Sequence, residues 1–84
     1  MKAVTLYGNA MCPYCGAARM LLTKKGVPFA NIDVGSDPAL RSEMEARSGN
    51  STVPQIFVAD TPIGGFDELY ALDKSGELDK ILAA

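Results

Sequence analysis

The chain has 84 residues, with 8 Lys+Arg against 10 Asp+Glu, a formal net charge of −2 and no histidine. The missing imidazole excludes Ser-His-Asp and Cys-His nucleophile activation and zinc sites of the Cys/His type. No basic cluster is denser than Lys24-Lys25, which argues against a nucleic-acid partner, and no apolar run approaches the ~20 residues of a membrane span. An apolar content of 48% suits one packed core that folds without a structural metal.

Val4, Thr5 and Leu6 form a short run that stops at Gly8 and reads as a first strand. Over 13–25, Ala17, Ala18, Met20, Leu21 and Leu22 recur at helical spacing between Pro13 and a Lys24-Lys25-Gly26 end. Val27, Phe29, Ile32 and Val34 make a second strand started by Pro28, so a right-handed parallel crossover is expected. Ser36 or Asp37 caps a second helix with Pro38 as its first residue, lined by Leu40, Met44 and Arg47 and ended by Gly49. Residues 53–58 and 61–63 read as an antiparallel hairpin turning at Ala59-Asp60. Asp67 is then expected to cap a last helix carrying Leu69, Tyr70 and Leu72, interrupted by Gly76 and resumed by Leu78, Ile81 and Leu82.

Cys12 and Cys15 are too close in sequence to brace a fold by closing a long loop. In a reducing compartment such a pair reads as catalytic or metal-binding. The opening stretch is broken by Gly8 and Asn9 before it reaches signal-peptide length, so a cytoplasmic location is expected. A four-ligand zinc site would need a second chain, because no further Cys or His exists to complete it. Redox chemistry is the better reading. Cys12 directly precedes Pro13 at a helix start, where free N–H groups and the positive end of the helix dipole stabilise a thiolate. Cys15, one turn on, is placed to attack a mixed disulfide formed at Cys12.

Cys12-Pro13-Tyr14-Cys15, Thr52-Val53-Pro54 and Gly64-Gly65-Phe66-Asp67 together resemble the active-site motifs of the glutaredoxins. The whole chain is similar to the small bacterial dithiol (class I) members, as a single domain over 1–84. The resemblance implies a thioredoxin-like α/β fold, a four-stranded mixed sheet flanked by helices in the order β-α-β-α-β-β-α. It also implies a glutathione-dependent thiol–disulfide oxidoreductase with Cys12 as nucleophile, Cys15 as resolving thiol, glutathione as co-substrate and no metal. Disulfide-containing or glutathionylated proteins are the implied partners of what is expected to be a monomer.

By the same resemblance Thr52 and Val53 meet the cysteinyl part of glutathione beside a cis Pro54, and Tyr14 flanks the mixed disulfide. Arg41 pairs with the glycine carboxylate, and Gly65, Phe66 and Asp67 receive the γ-glutamyl end at a helix start. Arg47 and Gln55 are expected to face solvent. Two positions depart from the pattern. Asn9 stands where many relatives carry a Lys that favours the thiolate, a loss of about 0.3–1 kcal/mol. Phe66 stands where many have Cys or Ser. The alternatives are a glutaredoxin-like electron donor reduced by thioredoxin reductase and an iron–sulfur cluster carrier using Cys12.

Overall fold

The computed structural model describes all 84 residues. Eight elements follow one another: β1 (Val4–Gly8), α1 (Pro13–Lys24), β2 (Phe29–Asp33), α2 (Pro38–Ser48), β3 (Gln55–Val58), β4 (Thr61–Gly64), α3 (Phe66–Ser75) and α4 (Glu77–Ala83). The sheet order is β2-β1-β3-β4, with β1 and β2 parallel and the other two pairings antiparallel. This is the four-stranded mixed sheet with flanking helices that the motifs imply.

Alternation along the two central strands sends side chains to two separate cores. Val4 and Leu6 of β1 join Ile56 and Val58 of β3 beneath Ala18 and Leu22 of α1, Leu69 of α3, and Leu78 and Leu82 of α4. On the opposite face Tyr7 and Phe57 pack with Val34 and Met44 under α2 alone. The Tyr7 hydroxyl donates to Glu43 at 2.8 Å and accepts from Arg47 at 2.6 Å, and the Arg47 guanidinium lies 4.6 Å from the Phe57 ring centre. Arg47 thus faces solvent as expected, while its charged end lies on the aromatic pair and fastens α2 to the sheet.

The ends of the elements follow their local chemistry. Asp37, one of the two expected caps, accepts the N–H groups of Ala39 and Leu40 at 3.1 Å. The hairpin turns where expected, with Ala59 at a φ of 52°. Val27 and Val34 fall just outside β2 and are buried, in different cores. The last helical segment is two helices, because Gly76 adopts φ 83° and ends α3.

Asp67 does not cap α3. The capping residue is Gly65, whose N–H is accepted by the Glu68 carboxylate at 2.7 Å, and Asp67 is the second helical residue. Glycine has no side chain to cap with, so the returning Glu supplies the bond.

One close approach sets the geometry at the end of β1. A Cβ at Gly8 would sit 2.8 Å from the Cys15 sulfur and 3.2 Å from Leu6 Cδ2, so only glycine lets β1 pass under α1 here. Gly8→Ala is expected to lower stability by about 1–3 kcal/mol. Gly16→Ala, where an added Cβ meets nothing within 4 Å, is expected to raise it by about 0.5–1 kcal/mol. Urea unfolding monitored by circular dichroism reads both, and coincident curves for Gly8→Ala and wild type would remove the steric argument.

Candidate active site

Cys12 is the N-cap of α1, with extended backbone (φ −88°, ψ 117°) and its sulfur accepting the Cys15 N–H at 3.3 Å. Pro13 follows as the first helical residue, where its missing N–H is no loss. The sulfur therefore occupies the place of an ordinary capping oxygen at the positive end of the helix. Cys12 is half-buried and Cys15 fully buried, both as free thiols.

Burial disfavours charge on Cys12. Hydrogen bonds from the Cys15 thiol and from the Cys15 and Tyr14 N–H groups, with the Arg19 guanidinium, outweigh it and hold this thiol below its ordinary value. The Cys15 thiol is pushed up to about 11, first by burial and then by its hydrogen bond to Cys12 and the charge there. The two sulfurs are thus driven apart in acidity.

Arg19 is the functional side chain that motif reading missed. Its guanidinium reaches the Asn9 carbonyl and the Asn31 side chain, each at 3.5 Å, on the side of the loop where Asn9 leaves a charge wanting. The signal was present as spacing, since Arg19 lies seven residues after Cys12 and four after Cys15, on one helix face.

Thr52-Val53-Pro54 comes from the α2–β3 connection and closes the other side of the sulfur. The Cys12 thiol lies 3.9 Å from the Val53 carbonyl oxygen, and the Val53–Pro54 bond is cis. The sheet ladder begins only at Gln55, so Val53 keeps its backbone groups out of the pairing. Running away from Cys12 is a groove of about 680 Å³, with Tyr14 at its sulfur end. Thr52, Val53 and Pro54 form one wall and Gly65, Phe66 and Asp67 the other.

The motif residues from Tyr14 to Asp67, up to 53 positions apart in sequence, meet around one cavity. The first N–H groups of α3 belong to Phe66 and Asp67, which precede the first internal bond, Leu69 N–H to the Gly65 carbonyl. Arg41 is not part of the lining. Its guanidinium donates to the Ser51 carbonyl at 2.6 Å and lies 3.5 Å from Glu45, at the outer end of the Thr52 wall.

Gln55 corrects its expectation of solvent exposure, being only 2% exposed. Its amide nitrogen donates to the Thr52 carbonyl and hydroxyl at 3.0 and 3.1 Å, tying the wall to β3. Its side-chain oxygen has no hydrogen-bond partner. Strand alternation carries the signal that it points inward, since it lies two residues before the buried Phe57 on the same face of β3.

The glutaredoxin family model matches residues 4–63, which include both cysteines and the Thr-Val-Pro wall. This chain belongs to the glutaredoxin family. Glutaredoxin 3 of Escherichia coli K12 is 49% identical over 82 residues, covering 98% of this chain and 99% of its own. The solution structure of glutaredoxin from Brucella melitensis is 48% identical, with a TM-score of 0.85 over 98% of this chain and 89% of that one. A buckwheat glutaredoxin–glutathione complex, 23% identical, shares the fold with a TM-score of 0.86 over 95% of this chain and 76% of its own. Members of the family are thiol–disulfide oxidoreductases that use glutathione.

The acidity gap has a pH signature. The rate of iodoacetamide alkylation at Cys12 should rise with pH through a midpoint below that of the same chain unfolded in urea, because only the thiolate reacts. Arg19→Gln should move that midpoint upward, and Cys15 should stay unmodified below pH 9. Mass spectrometry locates the adduct, and coincident folded and unfolded profiles would contradict the assignment.

Proposed function

We propose that this protein is a glutathione-dependent oxidoreductase that reduces protein disulfides and glutathione mixed disulfides, with Cys12 as nucleophile and Cys15 as resolving thiol. The observation that carries the reading is the thiol of lowered pKa at the start of α1, opening onto the groove between the Val53 backbone and the α3 N-terminus. A cytoplasmic, monomeric protein of one domain accords with it.

In the groove the cysteinyl part of glutathione runs beside Thr52 and Val53, and the Val53 backbone groups lie outside the sheet ladder, where an extended peptide can pair with them. Tyr14 covers the sulfurs, and Pro54 forms the floor. The γ-glutamyl carboxylate meets the Phe66 and Asp67 N–H groups at the helix start, where anions are favoured, and Asp67 faces the ammonium group. Arg41, held at the Ser51 end, is the cation for the glycine carboxylate. Gly65 keeps that wall low, since a Cβ there would meet the Pro54 carbonyl at 3.4 Å.

The Cys12 thiolate attacks the glutathionyl sulfur of a mixed disulfide, forming Cys12–glutathione and releasing the substrate as a thiolate that takes up a proton. A second glutathione thiolate attacks that glutathionyl sulfur and releases the Cys12 thiolate with oxidised glutathione. On a protein disulfide, Cys12 first forms a mixed disulfide with the substrate. Cys15 then attacks the Cys12 sulfur, breaking its bond to the substrate and releasing the reduced substrate dithiol, and two glutathiones reduce the resulting Cys12–Cys15 disulfide and leave as oxidised glutathione. The thiol of lower pKa is the better leaving group, which suits Cys12 to the step in which it is expelled.

Coupled to glutathione reductase, Cys12→Ser should abolish turnover of both substrate kinds. Cys15→Ser should keep at least half of the activity on a glutathione mixed disulfide and lose at least tenfold on an intramolecular protein disulfide. Asp67→Asn should raise KM for the glutathione mixed disulfide about 5- to 10-fold at unchanged kcat, the loss of one charge-assisted contact. An inactive wild type that turns over once thioredoxin reductase replaces glutathione would overturn the proposal.

A further inference from the structure

Three large apolar side chains are exposed along α1 and α3, and two of them, Met20 and Tyr70, lie past the glutathione groove. Tyr14 is 62% exposed, Met20 60% and Tyr70 46%. Phe66 joins the first to the last: its ring centre lies 6.2 Å from that of Tyr14 and 5.8 Å from that of Tyr70. A row of three aromatic rings therefore leads from the cysteines onto the seam between α1 and α3.

Along that seam runs a second groove, of about 460 Å³, floored by Ala17, Met20, Leu21, Phe66 and Tyr70. Phe66 belongs to both grooves, so ligand chains lying in the two are separated by its ring alone. Lys24 and Lys74 line the far end. Lys25 and Asp73 also border it, but they pair at 2.9 Å and Lys25 holds Asp79 at 3.0 Å, so this trio carries one negative charge against the two positive charges of Lys24 and Lys74. Lys24 and Lys74 form no ion pair. Lys74 lies 5.3 Å from the Tyr70 ring centre. The seam is thus an apolar trough with an unpaired positive end, on a chain whose net charge is −2.

We infer that the α1–α3 groove docks the polypeptide flank of the disulfide substrate and selects flanks that carry an apolar side chain followed by carboxylates. The inference rests on Cys12 exchanging with disulfides, as proposed above, and names the class of polypeptide it accepts. Two ring-to-ring steps of about 6 Å are spanned by about four residues of extended chain. An apolar residue within four positions of the substrate cysteine reaches Met20 and Tyr70, and acidic residues just beyond reach Lys24 and Lys74. Met and Tyr suit a surface that accepts varied apolar side chains, and redox encounters bury little area. Charge at the rim acts chiefly on the encounter rate.

The test uses ten-residue peptides with one cysteine, joined by a disulfide to 2-mercaptoethanol so that no glutathione is present. Both carry a Leu within four residues of the cysteine, and Glu pairs in one are replaced by Lys pairs in the other. Second-order rate constants for the reduced protein are measured by stopped flow, each divided by the rate with dithiothreitol to remove intrinsic reactivity.

The Glu peptide should react about tenfold faster than the Lys peptide at low ionic strength, and the ratio should shrink in 0.5 M salt. K24E/K74E should bring the ratio to one or below while leaving the rate with bis(2-hydroxyethyl) disulfide unchanged. Tyr70→Ser and Met20→Ser should each slow the Glu peptide at least threefold. Equal rates for the two peptides in wild type, or a preference that survives K24E/K74E, would overturn the inference. Failure of glutathione-dependent turnover in the same preparation would strike the proposed function and leave these exchange ratios readable.

Discussion

The 3.3 Å hydrogen bond from the Cys15 N–H to the Cys12 sulfur puts a reactive group where a helix ordinarily places a Ser, Thr or Asp oxygen. Helix capping and thiolate stabilisation are then the same interaction. Any shift of α1 that spoiled the cap would also raise the pKa of the thiol. The position of α1 is in turn set from below, where Gly8 leaves room for the Cys15 sulfur at a distance no other residue permits. The loop between them is short and internally braced, with the Asn9 side chain accepting the Met11 N–H at 3.0 Å.

The groove depends on both cores, although its walls come from different faces of the sheet. The Phe66 and Asp67 wall rides on α3, which is anchored through Leu69 in the larger core with α1 and α4. The Thr52-Val53-Pro54 wall hangs from α2 and β3. Gln55 holds Thr52, Arg41 holds Ser51, and the Tyr7, Glu43 and Arg47 cluster holds α2 to the sheet. That cluster substitutes polar bonds for apolar area, because only four side chains make up the core under α2. Burial and the Glu43 hydrogen bond raise the Tyr7 hydroxyl pKa, so it stays protonated and keeps donating to Glu43.

Much of this was legible in the residues because its causes are local. Pro13 and Pro38 mark helix starts, Gly26, Gly49 and Gly76 mark stops, and alternation at Leu6-Tyr7 and Ile56-Phe57 assigns the sheet faces. What the residues did not disclose depends on how the backbone turns, over three residues at Thr52–Gln55 and Gly65–Glu68 and over ten at Asn9–Arg19. Gln55 looks like a surface amide until Thr52 folds back over it. Asp67 has the chemistry of a cap, but the chain enters α3 two residues earlier, where Glu68 can reach back to Gly65. Arg19 resembles any helix cation until the loop before α1 brings the Asn9 carbonyl to its guanidinium. The aromatic row from Tyr14 to Tyr70 follows four-residue spacing from Phe66 to Tyr70 within α3, but its step from Tyr14 to Phe66 joins two helices and no periodicity announces it.

The division of labour between the two sulfurs also explains how a chain without histidine can time its own chemistry. Three effects push the Cys15 thiol up to about 11: burial, its hydrogen bond to Cys12, and the negative charge there. The last two exist only while Cys12 is a free thiolate. Once Cys12 is bound in a mixed disulfide both vanish, while the Asn9 N–H and Arg19, which favour a Cys15 thiolate, remain. Cys15 is therefore hardest to ionise when Cys12 is free to attack and easier to ionise when a mixed disulfide awaits resolution. An imidazole base that served both thiols would lack this dependence on the state of the partner sulfur. The sequence of events in the proposed cycle is thus carried by the electrostatics of two residues one helical turn apart.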